Sequence, residues 1–269
     1  MIIDFHTHVF PDAIAKSTID FLASKSGYVP YGDGSLKSLI SLMDNGNVDK
    51  SVILPVVTKP SQFKSINEFA HKLNNTDRIY SFGGIHPADE TPFEHLDQIK
   101  QMGLYGIKLH PDYQSAFIDD KRYIEIIRYA LSIGLAVITH AGIDEGCSGE
   151  IKCTPDRILH MFDAVYKGNM PTQPRIILAH AGGFKMHTEV LEKLCGIPAY
   201  FDLAYVMEYA DPDIILSIIR THGADKILFA TDSPWSDQKT SIKKLKSLPL
   251  SAEEIDKIFS KNALTILNK

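Results

Sequence analysis

Asp4-Phe5-His6-Thr7-His8 closes a short apolar run that starts at Met1. In a strand, side chains at i and i+2 point to the same side, so His6 and His8 project together. Two adjacent neutral imidazoles suit a divalent ion of the first transition row. A His-x-His pair is short and also arises by chance, which leaves two ordinary histidines as the competing reading. The rest of the chain has to decide.

The chain holds eleven histidines. Six stand at or just past the end of a predicted strand: His6, His8, His86, His110, His140 and His180. His71, His95, His160, His187 and His222 fall in helical stretches and read as exposed or amphipathic. Asp232 closes the last predicted strand.

Positioning these side chains requires a scaffold, and the hydrophobic pattern supplies one. Eight short apolar runs recur, at residues 2–5, 51–54, 79–84, 105–109, 136–139, 175–179, 199–203 and 227–231. Segments with helical periodicity separate them. Ser35 can cap a helix with Leu36, Leu39, Ile40 and Met43 inward, stopping at Gly46. Asp119 or Asp120 opens another, with Ile124, Ile127, Ala130 and Leu131 inward. Thr154-Pro155 and Asp211-Pro212 each place a cap before a proline at the first helical position. Ser251-Ala252-Glu253-Glu254 is a capping box for the terminal helix.

Strand and helix alternate throughout, which predicts a parallel sheet. Eight strands in 269 residues is the size of a closed (β/α)8 TIM barrel, here one domain over residues 1–269. A doubly wound open sheet is the runner-up, but no Gly-x-Gly-x-x-Gly follows the first strand. Residues 10–34 are too long for a tight connection and predict a flap, an insertion after strand 1 over one mouth of the barrel. In such a barrel all the C-terminal strand ends meet on one face, so histidines scattered through the sequence converge there.

Composition bounds the function. A net charge of −5 with pI near 6.1 leaves no basic field for nucleic acid. No apolar stretch nears the roughly 18 residues of a membrane span. Asp4 and His6 interrupt the first apolar run, so no signal-peptide layout is expected. Three cysteines, an odd number, fit a reducing cytoplasm better than a disulfide framework. Cys147 and Cys153 match no common zinc spacing and read as plain thiols. The expected partner is a small-molecule substrate, with no nucleic acid and no membrane; the pattern leaves any oligomeric state unread. No Gly-x-Ser-x-Gly is present, which speaks against a serine hydrolase.

The order of these motifs resembles the amidohydrolase superfamily of metal-dependent hydrolases. Thr139-His140-Ala141-Gly142, Ala179-His180-Ala181-Gly182-Gly183 and Thr231-Asp232-Ser233-Pro234-Trp235 are similar to its branch that includes nonoxidative decarboxylases. Gly106-Ile107-Lys108-Leu109-His110-Pro111-Asp112-Tyr113 resembles the fourth-strand segment of that branch, and also the Gly-x-Lys-x-His stretch of urease. The resemblance spans nearly the whole chain. It implies that His6, His8 and Asp232 hold a first divalent metal, zinc by expectation, with His140 joining them or serving a second ion beside His180. It further implies that Lys108 either carries a carbamate bridging two ions or stays free, with a salt bridge inside the rim as the plain reading. His110 then polarises a substrate carbonyl, or serves as a ligand or substrate contact. In single-metal relatives the counterpart of His180 is an acid or base.

The leading expectation is metal-dependent hydrolysis. A metal lowers the pKa of bound water from about 15.7 to about 7, and the water attacks an amide, lactone or ester carbonyl. Asp232 ligates, or moves a proton as a base. The alternative is metal-dependent nonoxidative decarboxylation of an aromatic or conjugated acid, with Arg157, His86 and Lys108 able to meet a carboxylate. A noncatalytic metal-binding barrel is the third and least favoured reading: structural sites are usually closed by protein ligands, so open coordination would count against it. His86, His110, Tyr113 and Trp235 are the expected substrate contacts. Phe10, Phe117, Tyr205 and Met207 fall in the same loops.

Overall fold

The computed structural model describes residues 1–74 and 76–268. Among the described residues nine parallel strand segments follow one another round a ring: β1 Ile3–Thr7, β2 Lys50–Ile53, β3 Ile79–Ser81, β4 Gly83–Gly84, β5 Gly106–Leu109, β6 Ala136–Thr139, β7 Ile176–Leu178, β8 Tyr200–Asp202 and β9 Ile227–Leu228. They form two ladders, β1-β2-β3 and β4 through β9. Phe82 N–H donates to Ile53 O and Tyr105 N–H to Ser81 O, which joins the ladders at one seam. Phe5 N–H to Phe229 O and Asp232 N–H to His6 O close the other. The molecule is a single-domain TIM barrel.

The third expected strand is split in two, and the cause is local. The side-chain amide of Asn67 donates to Gly84 O at 2.9 Å and accepts from Gly84 N–H at 2.9 Å. It replaces the partners a neighbouring strand would supply. Only glycine tolerates this approach, since a Cβ on Gly83 would lie 2.5 Å from Asn67 Oδ1.

In the described residues twelve α-helical segments surround the ring: α1 Ala15–Ser26, α2 Leu36–Gly46, α3 Phe63–Asn74, α4 Pro92–Gln101, α5 Lys121–Ser132, α6 Pro155–Tyr166, α7 His187–Lys193, α8 Val206–Tyr209, α9 Pro212–His222, α10 Gln238–Ser247, α11 Ala252–Asp256 and α12 Asn262–Leu267. Ser35, Asp120, Thr154, Asp211 and Ser251 each accept a backbone N–H in the first turn of the following helix, as their residue types require. One inward stripe differs from expectation. In α5, Tyr123, Ile126, Ile127 and Ala130 are buried, while Ile124 and Leu131 are half-buried. The tyrosine is drawn under the helix because its hydroxyl donates to Gln114 Oε1 at 2.7 Å.

Two apolar layers hold the barrel. Phe5, Val52, Leu54, Phe82, Ile138, Ile177 and Leu228 fill the interior, and a larger shell lies between strands and helices. The flap contains α1, and its neck is tied by Phe10 N–H to Gly34 O at 2.9 Å. Among the described residues no helix is long and apolar enough to cross a membrane, and all three cysteines are free.

Candidate metal centre and substrate cavity

The strand ends bring His6, His8 and Asp232 together. The two imidazole centroids lie 5.1 Å apart, as the i, i+2 spacing requires. Asp232 Oδ1 stands 3.4 Å from His6 Nε2 and 3.0 Å from His8 Nε2. His180 and Asp232 both take left-handed backbone, at φ 59° and 64°. Such strain costs on the order of 1–3 kcal/mol per residue and persists only where the surroundings hold it. Here Asp232 N–H donates to His6 O, and His180 N–H donates to Asp202 Oδ1 at 2.8 Å.

The ring protons are committed away from the centre. His6 Nδ1 meets Asp202 Oδ2 at 2.8 Å, His8 Nδ1 meets Leu54 O at 3.0 Å, and His180 Nδ1 meets Ala204 O at 3.0 Å. Each partner only accepts, so each Nδ1 carries the proton and each Nε2 presents a lone pair. Three acceptors (His6 Nε2, His8 Nε2 and Asp232 Oδ1) therefore face one another and call for positive charge beside them, which Lys108 Nζ supplies on the His6 side alone. Nearby, His140 Nδ1 lies 3.0 Å from His180 Nε2, and its Nε2 is buried without a hydrogen-bond partner. The donor set fits a divalent ion held by His6, His8 and Asp232.

Electrostatics agree. Burial, helped by the Lys108 charge, holds His6 well below its ordinary pKa and keeps it neutral. Lys108 is fully enclosed, and its Nζ lies 3.1 Å from His6 Nε2. Burial draws its ammonium down to about 8.

His110 occupies the same face but is differently engaged. Its ring stacks on Tyr113 (centroids 4.0 Å, planes 7° apart) and on His140 (4.4 Å, 14°). Nε2 lies 3.2 Å from Asp144 Oδ2, and Nδ1 accepts Tyr113 N–H at 3.4 Å. His110, His140 and Asp144 also place one ligand atom each within 4.8 Å of one another. Imidazole lone pairs lie in the ring plane, however, and two nearly parallel stacked planes do not aim at one ion.

A cavity of about 760 Å3 opens above this floor, lined by His6, His8, Lys108, His110, His140, His180, Asp232, Tyr113, Trp235 and, from the flap, Phe10 and residues of α1. His86 is not among the lining residues; its Nδ1 accepts Ala88 N–H at 3.0 Å in the turn that Pro87 begins. Arg157 lies outside as well, paired with Asp119 and Glu150 and placed over the Phe117 ring. Three carboxylates escaped sequence reasoning. Asp202, inside an apolar strand, orients His6. Asp4, likewise inside a strand, binds Thr231 and Gln238 across the closing seam, and burial pushes it up to about 7. An acid within an apolar run was a usable signal for both. Asp144 sits among other loop acids and had none.

At the sequence level, no individual curated protein matches the chain. Among solved structures it is similar to an uncharacterised TIM-barrel protein from Bordetella bronchiseptica, at 16% identity, 100% and 99% coverage of the two chains and a TM-score of 0.77. It is similar to a 2,6-dihydroxybenzoate decarboxylase complexed with 2,6-dihydroxybenzoate, at 12% identity, 100% and 99% coverage and a TM-score of 0.72. A 5-carboxyvanillate decarboxylase from Novosphingobium aromaticivorans, complexed with manganese and 4-hydroxy-3-methoxy-5-nitrobenzoic acid, matches at 15% identity, 100% and 96% coverage and a TM-score of 0.72. At these identities the likeness establishes the fold. The model of the Amidohydrolase family (Amidohydro_2) matches residues 3–269, and the chain belongs to that family.

Proposed function

We propose that this metal-dependent enzyme is a nonoxidative decarboxylase of a small aromatic carboxylic acid. The order of preference expected from sequence, hydrolysis first, is thereby reversed. The observation that carries the reading is the state of His110: both ring nitrogens have protein partners and the ring is stacked on two others. The group expected to polarise a hydrolysable carbonyl thus has no free N–H for it. The aromatic walls of the cavity suit an aryl acid, and two of the structural neighbours named above are aryl-acid decarboxylases.

A divalent ion there would be held by His6, His8 and Asp232, with His140 or His180 beside them, and would supply Lewis-acid charge for the carboxylate of the acid. Lys108 donates an N–H to a carboxylate oxygen of the substrate from the sealed floor. Trp235 and Tyr113 flank the ring. Asp232, 15% exposed, brings a proton from the cavity to the ring carbon. The bond from that carbon to the carboxyl breaks, its electron pair restores the aromatic ring, and carbon dioxide leaves.

The test is carbon dioxide release from a panel of hydroxybenzoates by protein loaded with manganese or zinc. Release that stops on chelation and returns with metal is the expected result. Lys108→Met should lower kcat/KM by roughly 10- to 100-fold, the scale of one charged hydrogen bond. Turnover of esters or lactones with no release from any acid would overturn the proposal. Hydrolysis remains the second reading because Lys108 Nζ stands against a metal-site imidazole, where a carbamate would bridge two ions. Two ions per chain with a carbamate on Lys108 would favour it.

A further inference from the structure

We propose that the acid handled here carries an uncharged apolar extension, a second ring or a short alkyl chain, directed away from its carboxylate and seated against α1; this rests on the aryl-acid reading above. The cavity size is the first reason. At about 760 Å3 it lies in the upper part of the roughly 300–1,000 Å3 range that holds drug-sized ligands. A single benzene ring with its carboxyl would leave much of that space to water.

The wall changes character with depth. On the floor, His6, Lys108 and His140 are 1%, 1% and 5% exposed. At the mouth, Ile14 and Phe21 are 49% and 59% exposed and still line the cavity, with Leu22, Ile66 and Phe69 beside them. Ile14, Thr18, Phe21 and Leu22 recur at i, i+4, i+7 and i+8 and so share one stripe. The neighbouring Ala15 and Ile19 are buried in the fold. The flap thus carries two apolar stripes, one used for packing and one turned to the cavity. Large apolar side chains left open to a cavity mark a place where something apolar binds.

Charge sets the limit on that extension. Among the described lining residues, histidines aside, the cation is Lys108, at the floor. The upper wall offers Glu145, already paired with Lys185. No lysine or arginine among the described residues of that upper wall would pair with an anionic tail, and Glu145 would repel one, so the extension is neutral.

Calorimetric titration of the metal-loaded full chain tests this, with benzoate, biphenyl-3-carboxylate and biphenyl-4-carboxylate as probes. At least one biphenyl acid should bind about tenfold or more tighter than benzoate, the scale expected for burying a second ring. Phe21→Ser, and separately Ile14→Ser, should shrink that ratio several-fold; both side chains are about half exposed and lie outside the buried core. Equal affinity for all three acids, no binding of any, or a ratio untouched by both substitutions would overturn the proposal. So would a drop in sedimentation mass on Phe21→Ser with the ratio unchanged, because the stripe would then face a second copy of the chain. Binding is read without turnover: a size preference with no carbon dioxide release would overturn the decarboxylase reading and leave this inference standing.

Discussion

The rings of His110 and His140 lie almost parallel, with centroids 4.4 Å and planes 14° apart. Stacked imidazoles do not direct their in-plane lone pairs to a common point. One ion per chain is therefore expected by elemental analysis of protein reconstituted with excess manganese or zinc. His8→Ala should abolish that stoichiometry, and His110→Ala should leave it at one. A second ion lost on His110→Ala would contradict this geometry.

Asp202 Oδ2 holds the proton of His6 on Nδ1. An asparagine there can present an N–H instead, which moves the ring proton to Nε2 and blocks the lone pair aimed at the metal. Asp202→Asn should weaken metal affinity by roughly 10- to 100-fold, the usual effect of losing such a partner. Competition with a calibrated chelator measures it, and unchanged affinity would refute the orienting role.

His222, distant in sequence from the metal-binding histidines, governs a pH dependence of folding. Its Nε2 donates to Ala199 O at 2.9 Å, its Nδ1 accepts Gly196 N–H at 3.1 Å, and its ring stacks on Phe201. The neutral ring satisfies both contacts, and burial pulls its pKa from 6.5 to about 4. Between those values the unfolded chain binds the proton and the folded one does not. Stability from this residue is full above pH 6.5 and falls as pH drops toward 4, by roughly 3 kcal/mol in all. Urea titrations at several pH values should show a shallower acid loss in His222→Gln than in the parent protein. Parallel curves would rule the assignment out.

Phe82 fills the barrel interior at the seam between the two ladders, edge-on to Phe5 with centroids 5.8 Å apart. Phe82→Ala should cost about 3–5 kcal/mol, by the lost burial and the cavity it leaves. The denaturant midpoint should fall accordingly, and a loss under 1 kcal/mol would mean that the interior closes over the gap.

The parallel barrel, the helix caps at Ser35, Thr154 and Ser251, and the placing of His6, His8, His140, His180 and Asp232 at strand ends were legible from residue order. Each depends on periodicity or on a short-range hydrogen bond, and both are written locally in the chain. The fates of His86 and His110 were not legible. Both follow a strand, but one turns into its own loop while the other is held by Asp144, a residue 34 positions away. Nor could spacing foretell that Asn67 would take a strand's place beside Gly84, or that Asp202 would settle the protonation of His6. Such contacts join segments remote in sequence, and only closing the barrel sets their distances. Local chemistry determined which residues could bind a metal; the closed ring decided which lone pairs face one another.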